Sequence, residues 1–269
     1  MKNIILSTAL LFAVTACQST PEVKSIPAPA TIEDAVASPY RSEANRVRDA
    51  HRRPTETLKF FGLKPEMTVI EVAPGTGWYM EILAPLMMTS GQYIGALPPS
   101  DSEYMTKANA KVNDWIAARP EVKAKIRTVT FDPPTEITTA ESADMVLTFR
   151  NVHNWMTKGK AQDAFNAFHK VLKPGGILGV VEHRANAGTK VDPKAKSGYV
   201  TEAEVIRMAK KAGFKLAEKS EINANPKDTK NYEGGVWSLP PVLRQGDKDR
   251  EKFVAIGESD RMTLKFVKK

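Results

Sequence analysis

Hydrophobic positions along most of the chain alternate between short runs typical of buried strands and longer stretches with helical spacing. The first strong run, residues 68–73, passes through a glycine-containing turn into a helical pattern that begins at Trp78. Similar runs follow, and helical patterns separate most of them. The seven predicted strands cover residues 68–73, 92–97, 126–131, 144–149, 177–182, 214–222 and 261–267. The main predicted helices cover residues 78–88, 102–118, 160–172 and 202–212.

This alternation predicts an α/β fold with a mostly parallel sheet that is covered by helices on both faces. No helix of crossover length separates the last two strands, so we expect the seventh strand to run antiparallel. The segment between them, residues 223–257, is too long for a tight hairpin and contains a Gly-Gly and a Pro-Pro pair. Because long loops in compact domains are often functional, we predict that this insertion covers the active site.

A polar helical pattern precedes the first strand, at residues 39–62. Ser38 is a suitable N-cap, Pro54 interrupts the pattern and Gly62 ends it. A helix this rich in arginine is consistent with a lid over a ligand site. The alternative is a solvated helix that packs through its few apolar residues, Val47, Leu58, Phe60 and Phe61.

The first residues have the pattern of an export signal. Lys2 precedes an apolar stretch at residues 4–14, which is too short to span a bilayer. Residues 14–17, Val-Thr-Ala-Cys, resemble a bacterial lipobox, in which the cysteine receives a lipid. Cys17 is the one cysteine of the chain and has no intramolecular disulfide partner, so we favour lipidation over simple cleavage after residue 16. Gln18 in the next position favours the outer membrane, by the same resemblance to bacterial lipoproteins.

We therefore expect three parts in the chain: a signal peptide at residues 1–16, a flexible tether at 17–38 and a folded domain at 39–269. The tether assignment rests on a high content of Pro, Ala, Ser and Thr without periodicity. The expected location is the periplasm, with a membrane anchor through lipidated Cys17.

The net charge of the chain gives little information about the class of partner that it binds. The formal net charge is +8, but Lys and Arg are spread along the chain without a run of five or six. Such a surface is compatible with weak attraction to anionic lipid head groups, and we expect no nucleic-acid partner. The sequence leaves the oligomeric state open.

The glycine turn after the first strand reads Glu-Val-Ala-Pro-Gly-Thr-Gly, residues 71–77. It resembles the first motif of class I S-adenosylmethionine-dependent methyltransferases, and Leu-Lys-Pro-Gly-Gly, residues 172–176, resembles the turn before their fifth strand. The likeness covers roughly residue 58 to the C-terminus. The strings RNVHNW, VVEHR and ESDRMTLKF are similar to a group of bacterial methyltransferases that carry signal peptides. The resemblance implies a Rossmann-like seven-stranded methyltransferase sheet and S-adenosylmethionine as the cofactor.

The glycine turn has chemistry that suits this cofactor, with one departure. Gly75 and Gly77 let the backbone approach the methionyl part, and Glu71 can accept a hydrogen bond from its ammonium group. Ala73 replaces the first glycine of the motif, which reshapes the turn without closing it. The resemblance also places Trp78, at the start of the next helix, in the cofactor site.

The end of the second strand lacks the acid with which the family binds the ribose hydroxyls. Residues 97–99 are Leu-Pro-Pro, which also disfavours a dinucleotide cofactor. Asp101 can substitute from the following loop, or it only caps a helix. Asp132 follows the third strand, where the family contacts the adenine amino group, and the alternative is a turn residue before two prolines.

A dense group of polar and aromatic residues follows the fourth strand, over the expected transfer site. His153 is a candidate general base, because imidazole titrates near neutrality. Asn151 and Asn154 are candidates to orient a small-molecule acceptor, and Trp155 to stack on the acceptor or on the sulfonium. Arg150 is assigned to the cofactor. The alternative is a structured loop in which Trp155 fills the core and His153 caps the next helix.

Two further residues are predicted to contact the acceptor. His183 ends the fifth strand beside the fourth, with Glu182 pointing to the other side of the sheet. Tyr199 precedes a helix, where it either covers the site or packs as a hydrophobic staple. His153 and His183 are a conceivable pair of metal ligands. Their spacing in the sequence does not match that of a metal-binding motif, so we expect no metal.

These features predict a methyltransferase of the cell envelope that acts on an unknown, small-molecule acceptor. The location raises an alternative, because S-adenosylmethionine is made in the cytosol. The same fold can serve a catalytically inactive or repurposed envelope lipoprotein that binds a small ligand.

Overall fold

The computed structural model describes residues 26–269. The predicted signal peptide and the lipidation site Cys17 lie outside the described residues. In residues 26–269, no helix combines the length and the apolar character needed to cross a membrane.

Seven strands form a single sheet. Their bounds are β1 Thr68–Val72, β2 Gln92–Leu97, β3 Ile126–Thr130, β4 Ala143–Phe149, β5 Leu172–His183, β6 Phe214–Ser220 and β7 Arg261–Lys268. The order across the sheet is β3-β2-β1-β4-β5-β7-β6. β7 is antiparallel to both of its neighbours, and the other pairings are parallel. The predicted mostly parallel sheet with an antiparallel last strand is therefore confirmed.

Helices cover both faces of this sheet. Their bounds are α1 Ile32–Ala37, α2 Glu43–Arg46, α3 Asp49–Arg52, α4 Pro54–Phe61, α5 Met80–Met87, α6 Glu103–Ala117, α7 Pro120–Lys123, α8 Val152–Lys158, α9 Ala161–Val171, α10 Glu202–Lys211 and α11 Arg250–Ile256, with a short 3-10 helix at Gly235–Ser238. Alternate strand residues face opposite layers. Ile70 and Val72 pack with α8, α9 and α10, whereas Val69 packs with α4, α5 and α6.

The folded part begins earlier than predicted. Thr31 and Asp34 form a reciprocal capping box, in which each side chain accepts the other's backbone N–H at 3.1 Å. Ile32 and Ala35 are buried, and α1 packs against α4 and α5. The predicted tether boundary at residue 38 is therefore wrong. A six-residue helix with two buried positions is too short to produce a visible period.

The predicted polar helix at residues 39–62 consists of three pieces, α2, α3 and α4. Arg53, with a φ of +40°, separates the last two, and Pro54 occupies the first position of α4. Gly62, with a φ of +80°, ends α4 as predicted. Leu58 and Phe61 are fully buried, whereas Val47 is 66% exposed, so α4 is a core helix and the segment before it is a surface segment.

Candidate active site

A cavity of about 590 Å³ lies over the carboxyl ends of the parallel strands, within the size range of small-ligand sites. We divide its wall into two parts. The glycine-turn half is lined by Ala73, Gly75, Pro98, Pro99, Phe131 and Asp132. The histidine half is lined by Arg150, His153, His183, Trp237, Glu258 and Ser259.

The glycine turn bends through three residues with positive φ: Ala73 at +51°, Gly75 at +62° and Gly77 at +90°. A Cβ on Gly75 would meet no atom within 4 Å, because this position opens into the cavity. A Cβ on Gly77 would lie 2.8 Å from the Cε of Met80, so the start of α5 packs closely on the turn. Ala73 adopts the left-handed conformation that favours glycine, at the position where the methyltransferase motif has its first glycine.

Asn151 fixes this turn to the end of β4. Its Nδ2 donates to the backbone oxygens of Val72 at 3.0 Å and Ala73 at 3.3 Å, and to the Thr148 hydroxyl at 3.2 Å. The sequence predicts that the side-chain amide of Asn151 orients an acceptor. In the structure, its donors are directed at the glycine turn instead. Asn154 is exposed and does line the cavity.

Glu71 lies beneath the glycine turn and is not a wall residue of the cavity. It is 2% exposed, and its Oε2 accepts a hydrogen bond of 2.7 Å from the Tyr93 hydroxyl. Burial raises the pKa of the Glu71 carboxyl to about 7. The alternation of β1 explains this position, because Glu71 shares the face of Val69, which packs under α5.

Trp78 is also absent from the cavity wall. The guanidinium groups of Arg41 and Arg52 lie over its ring, at 4.9 and 4.6 Å, and its Nε1 donates to the backbone oxygen of Asn45 at 2.9 Å. Trp78 therefore joins the glycine turn to the N-terminal helices. Those helices contribute no wall residue, so the predicted lid is not in contact with the cavity.

The two candidate aspartates occupy different places. Asp132 lines the cavity and binds the Nζ of Lys160 at 2.6 Å. Asp101 is exposed, lies outside the wall and pairs with Lys158 at 3.2 Å. The place of the expected ribose acid is filled by Pro98 and Pro99.

The segment after β4 is a helix, α8, rather than a loop, and His153 lies in its first turn. The imidazole Nδ1 lies 3.0 Å from Oε1 of Glu182, and the backbone N–H of His153 donates to Oε2 at 3.2 Å. Because a carboxylate only accepts hydrogen bonds, Nδ1 is the donor, and Nε2 is the nitrogen free to take a proton. By strand alternation Glu182 lies on the face of β5 that carries Leu178 and Val180, toward α8, and it is not a wall residue of the cavity. This alternation with His183 brings Glu182 under the start of α8, where His153 lies.

His183 lines the cavity next to His153, with the two ring centroids 5.3 Å apart. Its Nδ1 lies 2.6 Å from the Ser259 hydroxyl. Burial, helped by the nearby charges of His153 and Arg150, lowers the pKa of His183 well below its ordinary value. His183 is therefore a neutral side chain at neutral pH.

His153, Glu182 and His183 offer nitrogen and oxygen atoms within 4.8 Å of one another; the sequence predicts the two histidines near each other but not Glu182 with them. Both oxygens of Glu182 already accept hydrogen bonds, from the backbone N–H groups of His153 and His183 and from the imidazole of His153. Nearby arginine charges further disfavour a cation here. The absence of a metal stays a prediction.

The two aromatic candidates have different positions. Trp155 packs edge-on against Phe168 in the core, at 5.4 Å, and also lines the cavity; its stacking on an acceptor stays a prediction. Tyr199 is outside the wall of this cavity. Its hydroxyl lies 3.0 Å from both oxygens of Asp228, and its ring contacts His183 from behind, at 6.4 Å.

The insertion at residues 223–257 forms one side of the cavity. Its wall residues lie in the short 3-10 helix and directly after it, and are Val236, Trp237, Pro240, Pro241, Val242 and Arg244. The ring centroids of Trp237 and His153 are 6.0 Å apart, and the guanidinium of Arg244 lies over the Trp237 ring at 4.5 Å. The histidine half is therefore closed by an aromatic and apolar surface.

Sequence reasoning missed a group of charged residues around Glu258. The carboxylate of Glu258 is 2.7 Å from Nε of Arg48, 3.4 Å from Nε of Arg52 and 3.2 Å from Nη1 of Arg261. Burial alone would raise the pKa of Glu258, but the arginine charges outweigh it and hold the pKa at about 2. The string ESDR was part of the family resemblance, but it carried no sign of partners some 200 residues away.

Three solved structures show what this fold is similar to. A SAM-dependent methyltransferase from Aquifex aeolicus is 18% identical, with a TM-score of 0.55 over 82% of this chain and 92% of that one. The [4+2]-cyclase SpnF is 16% identical, with a TM-score of 0.58 over 88% and 92%. The O-methyltransferase NcsB1 of neocarzinostatin biosynthesis, in complex with S-adenosylmethionine and 2-hydroxy-5-methyl naphthoic acid, is 13% identical, with a TM-score of 0.51 over 84% and 55%.

No protein-family model matches the chain, and no curated protein is significantly similar to it. At these identities the structural likeness shows the fold. The chain has the Rossmann-like fold of class I SAM-dependent methyltransferases.

Proposed function

We propose that this protein is an S-adenosylmethionine-dependent methyltransferase that acts on a small acceptor. One observation carries the proposal: a single cavity joins a glycine turn of the methyltransferase type to a histidine whose Nδ1 is held by a buried carboxylate. The first feature suits a cofactor and the second suits proton removal from an acceptor.

The residues of the glycine-turn half fit this cofactor in most respects. Gly75 leaves space that a side chain would fill, and Asp132 and Phe131 lie where the adenine is expected. Pro98 and Pro99 in place of the ribose acid remove one expected pair of hydrogen bonds. When bound, S-adenosylmethionine supplies an electrophilic methyl group.

The histidine half would prepare the acceptor. Glu182 fixes the ring orientation and the tautomer of His153, so that Nε2 can take the proton of an acceptor hydroxyl or amine. The neutral His183 can contribute a hydrogen bond without adding charge. The insertion residues Trp237 and Pro240 would exclude water from the acceptor.

Calorimetric titration of the purified protein with S-adenosylmethionine and S-adenosylhomocysteine tests the cofactor assignment. We expect micromolar binding of both, and about tenfold weaker binding in Asp132→Ala. The matched control Asp101→Ala, which removes an aspartate outside the cavity wall, should bind within twofold of the wild type. Absence of binding at millimolar cofactor would reject the proposed function.

The base assignment is tested on any acceptor that the protein methylates. His153→Gln should lower kcat/KM by about 10²-fold to 10⁴-fold. Glu182→Gln should cause a smaller loss, because it disturbs the orientation of the base without removing it. Full turnover in His153→Gln would exclude His153 as the base.

A second candidate function is ligand binding without methyl transfer. The observation in its favour is the missing ribose acid, and the similarity to the cyclase SpnF illustrates that this fold also serves other activities. In this case S-adenosylhomocysteine, or another small molecule, would bind, and no methyl group would reach any acceptor in a screen with labelled cofactor.

We also propose that the protein is an envelope lipoprotein anchored through Cys17. The support is the apolar stretch at residues 4–14 followed by Val-Thr-Ala-Cys. Expressed with its leader in a bacterial host, the wild type should fractionate with outer membranes, and mass spectrometry should find lipid on Cys17. Cys17→Ala should be cleaved differently and become soluble, and equal membrane association of both would reject the anchor.

A further inference from the structure

The histidine half carries more positive charge than its acids can balance. Arg48, Arg52, Arg150 and Arg261 all influence the ionisation of Glu258, which is the one carboxylate in residues 26–269 that forms ion pairs with this group. Arg52 and Arg261 have side chains only 3% and 4% exposed, so water screens their charges poorly. An anion in the adjacent cavity would therefore be strongly favoured.

Several nitrogens of this arginine group lack a partner. Within residues 26–269, the buried Nη2 atoms of Arg48 and Arg52 and the buried Nε of Arg261 make no hydrogen bond. A buried donor left without a partner destabilises the folded protein. None of these three arginines is a wall residue of the cavity, so they favour an anion there through their charge rather than through direct contact.

Arg150 connects the group to the cavity. It follows β4 directly, its backbone N–H donates to the Val181 oxygen at 2.7 Å, and its φ of +63° is unusual for a side chain of this size. Arg150 is a wall residue of the cavity, and its side chain forms no hydrogen bond within the described part of the chain. Arg150 is therefore the arginine whose donors can reach a ligand.

The arginine group lies close to His183, which is predicted to contact the acceptor. Glu258 precedes Ser259, which contacts His183, and Arg261 lies opposite His183 in the sheet. The apolar wall beside it, with Trp155 and Trp237, suits a planar body. S-adenosylmethionine itself carries a net positive charge, so an anionic acceptor would also offset its repulsion from the arginines.

We propose that Arg150, supported by Arg48, Arg52 and Arg261, binds the carboxylate of an aromatic acid that is the methyl acceptor. This proposal rests on the proposed function, because it assigns the substrate class of the same cavity. The bidentate geometry of a guanidinium matches a carboxylate, and a lysine would match it less well.

The test uses the full chain saturated with S-adenosylhomocysteine. Benzoate, 4-hydroxybenzoate and 2-naphthoate are titrated calorimetrically, each beside its neutral amide. We expect at least one carboxylate to bind tenfold or more tightly than its amide. In Arg150→Gln the ratio should fall to within twofold, and in Arg150→Lys it should be intermediate. Arg207→Gln, which removes an exposed arginine outside the cavity wall, should retain the ratio.

Three results would overturn the proposal. One is equal binding of all three acids and their amides. Another is an unchanged ratio in an Arg150→Gln protein whose unfolding midpoint matches the wild type. The third is a tenfold loss of S-adenosylhomocysteine affinity in Arg150→Gln with unchanged binding of methylthioadenosine, which lacks the carboxylate, because the group would then bind the cofactor. Failure of the wild type to bind S-adenosylhomocysteine at all would instead reject the proposed function, whatever the ratio.

Discussion

Two buried glutamates, one near each half of the cavity, have opposite ionisation behaviour. Glu71, below the glycine-turn half, has one hydroxyl partner, and burial raises its pKa to about 7. Glu258, in the histidine half, is similarly buried, yet the arginines around it hold its pKa at about 2. The residue type and the burial are the same, so the difference comes from the neighbouring charges.

This contrast indicates that the two halves recognise ligands in different ways. The glycine-turn half offers backbone, prolines and one aspartate, so shape dominates there. The histidine half offers arginine charge and two oriented imidazoles, so electrostatics dominates. A methyltransferase requires both, since the cofactor must be positioned and the acceptor must be both positioned and deprotonated.

The largest expected effect is in the histidine half. Glu258→Gln removes the carboxylate from among the arginines and leaves several buried charges unpaired. We expect the free energy of unfolding at pH 7 to fall by about 3–5 kcal/mol, measured by urea denaturation. Asp101→Asn, which removes one partner of an exposed ion pair, should change it by less than about 1 kcal/mol. A loss below 1 kcal/mol in Glu258→Gln would contradict the assigned role of the arginine group.

The pH dependence of this effect follows from the direction of the pKa shift. Because the folded-state pKa of Glu258 is about 2, below its ordinary value of 4.5, its stabilisation is present above about pH 5 and is lost as the pH falls toward 2. The stability difference between wild type and Glu258→Gln should therefore shrink over this range. A constant difference from pH 7 to pH 3 would contradict this assignment.

Glu71→Gln should behave in the opposite way. The folded-state pKa of Glu71 lies above its ordinary value, so the wild type should lose stability as the pH rises from about 4.5 through 7. The shift corresponds to about 3 kcal/mol above pH 8, and Gln can still accept the hydrogen bond of Tyr93. The variant should then be more stable than the wild type at pH 8 and similar at pH 4. If Glu71→Gln is less stable than the wild type at both pH 8 and pH 4, Glu71 has ionic partners in the folded protein.

The smallest expected effect concerns the shape of the glycine turn. Ala73→Gly relieves a left-handed alanine and should stabilise the protein by about 0.5 kcal/mol. Ala96→Gly, at the neighbouring end of β2, removes a buried methyl group from a regular strand and should destabilise it by about 1 kcal/mol. Equal destabilisation by both substitutions would mean that the Ala73 conformation is not strained.

Much of the fold could be predicted because its signals are local. The strand periods, the Pro54 start and Gly62 stop of α4, and the positive φ at Gly75 and Gly77 all follow from residues within a few positions of each other. His153 and His183 were predicted beside one cavity because parallel strands end at the same edge of a sheet. The short helices α1 and α8 were missed because they span too few residues to show a period.

The sequence by itself therefore determined the sheet, the glycine turn and the place of the cavity, since each depends on local pattern and strand order. Only the tertiary structure decided which charged side chains contact one another. Glu258 meets Arg48 and Arg52 across separations of 210 and 206 residues, and Glu182 turns toward His153 across 29. Such pairings leave no periodic trace, because electrostatic contact depends on distance in space, which the sequence specifies only through the whole fold. The glycine turn locates the site, and this arrangement of charge supports the proposal for what it binds.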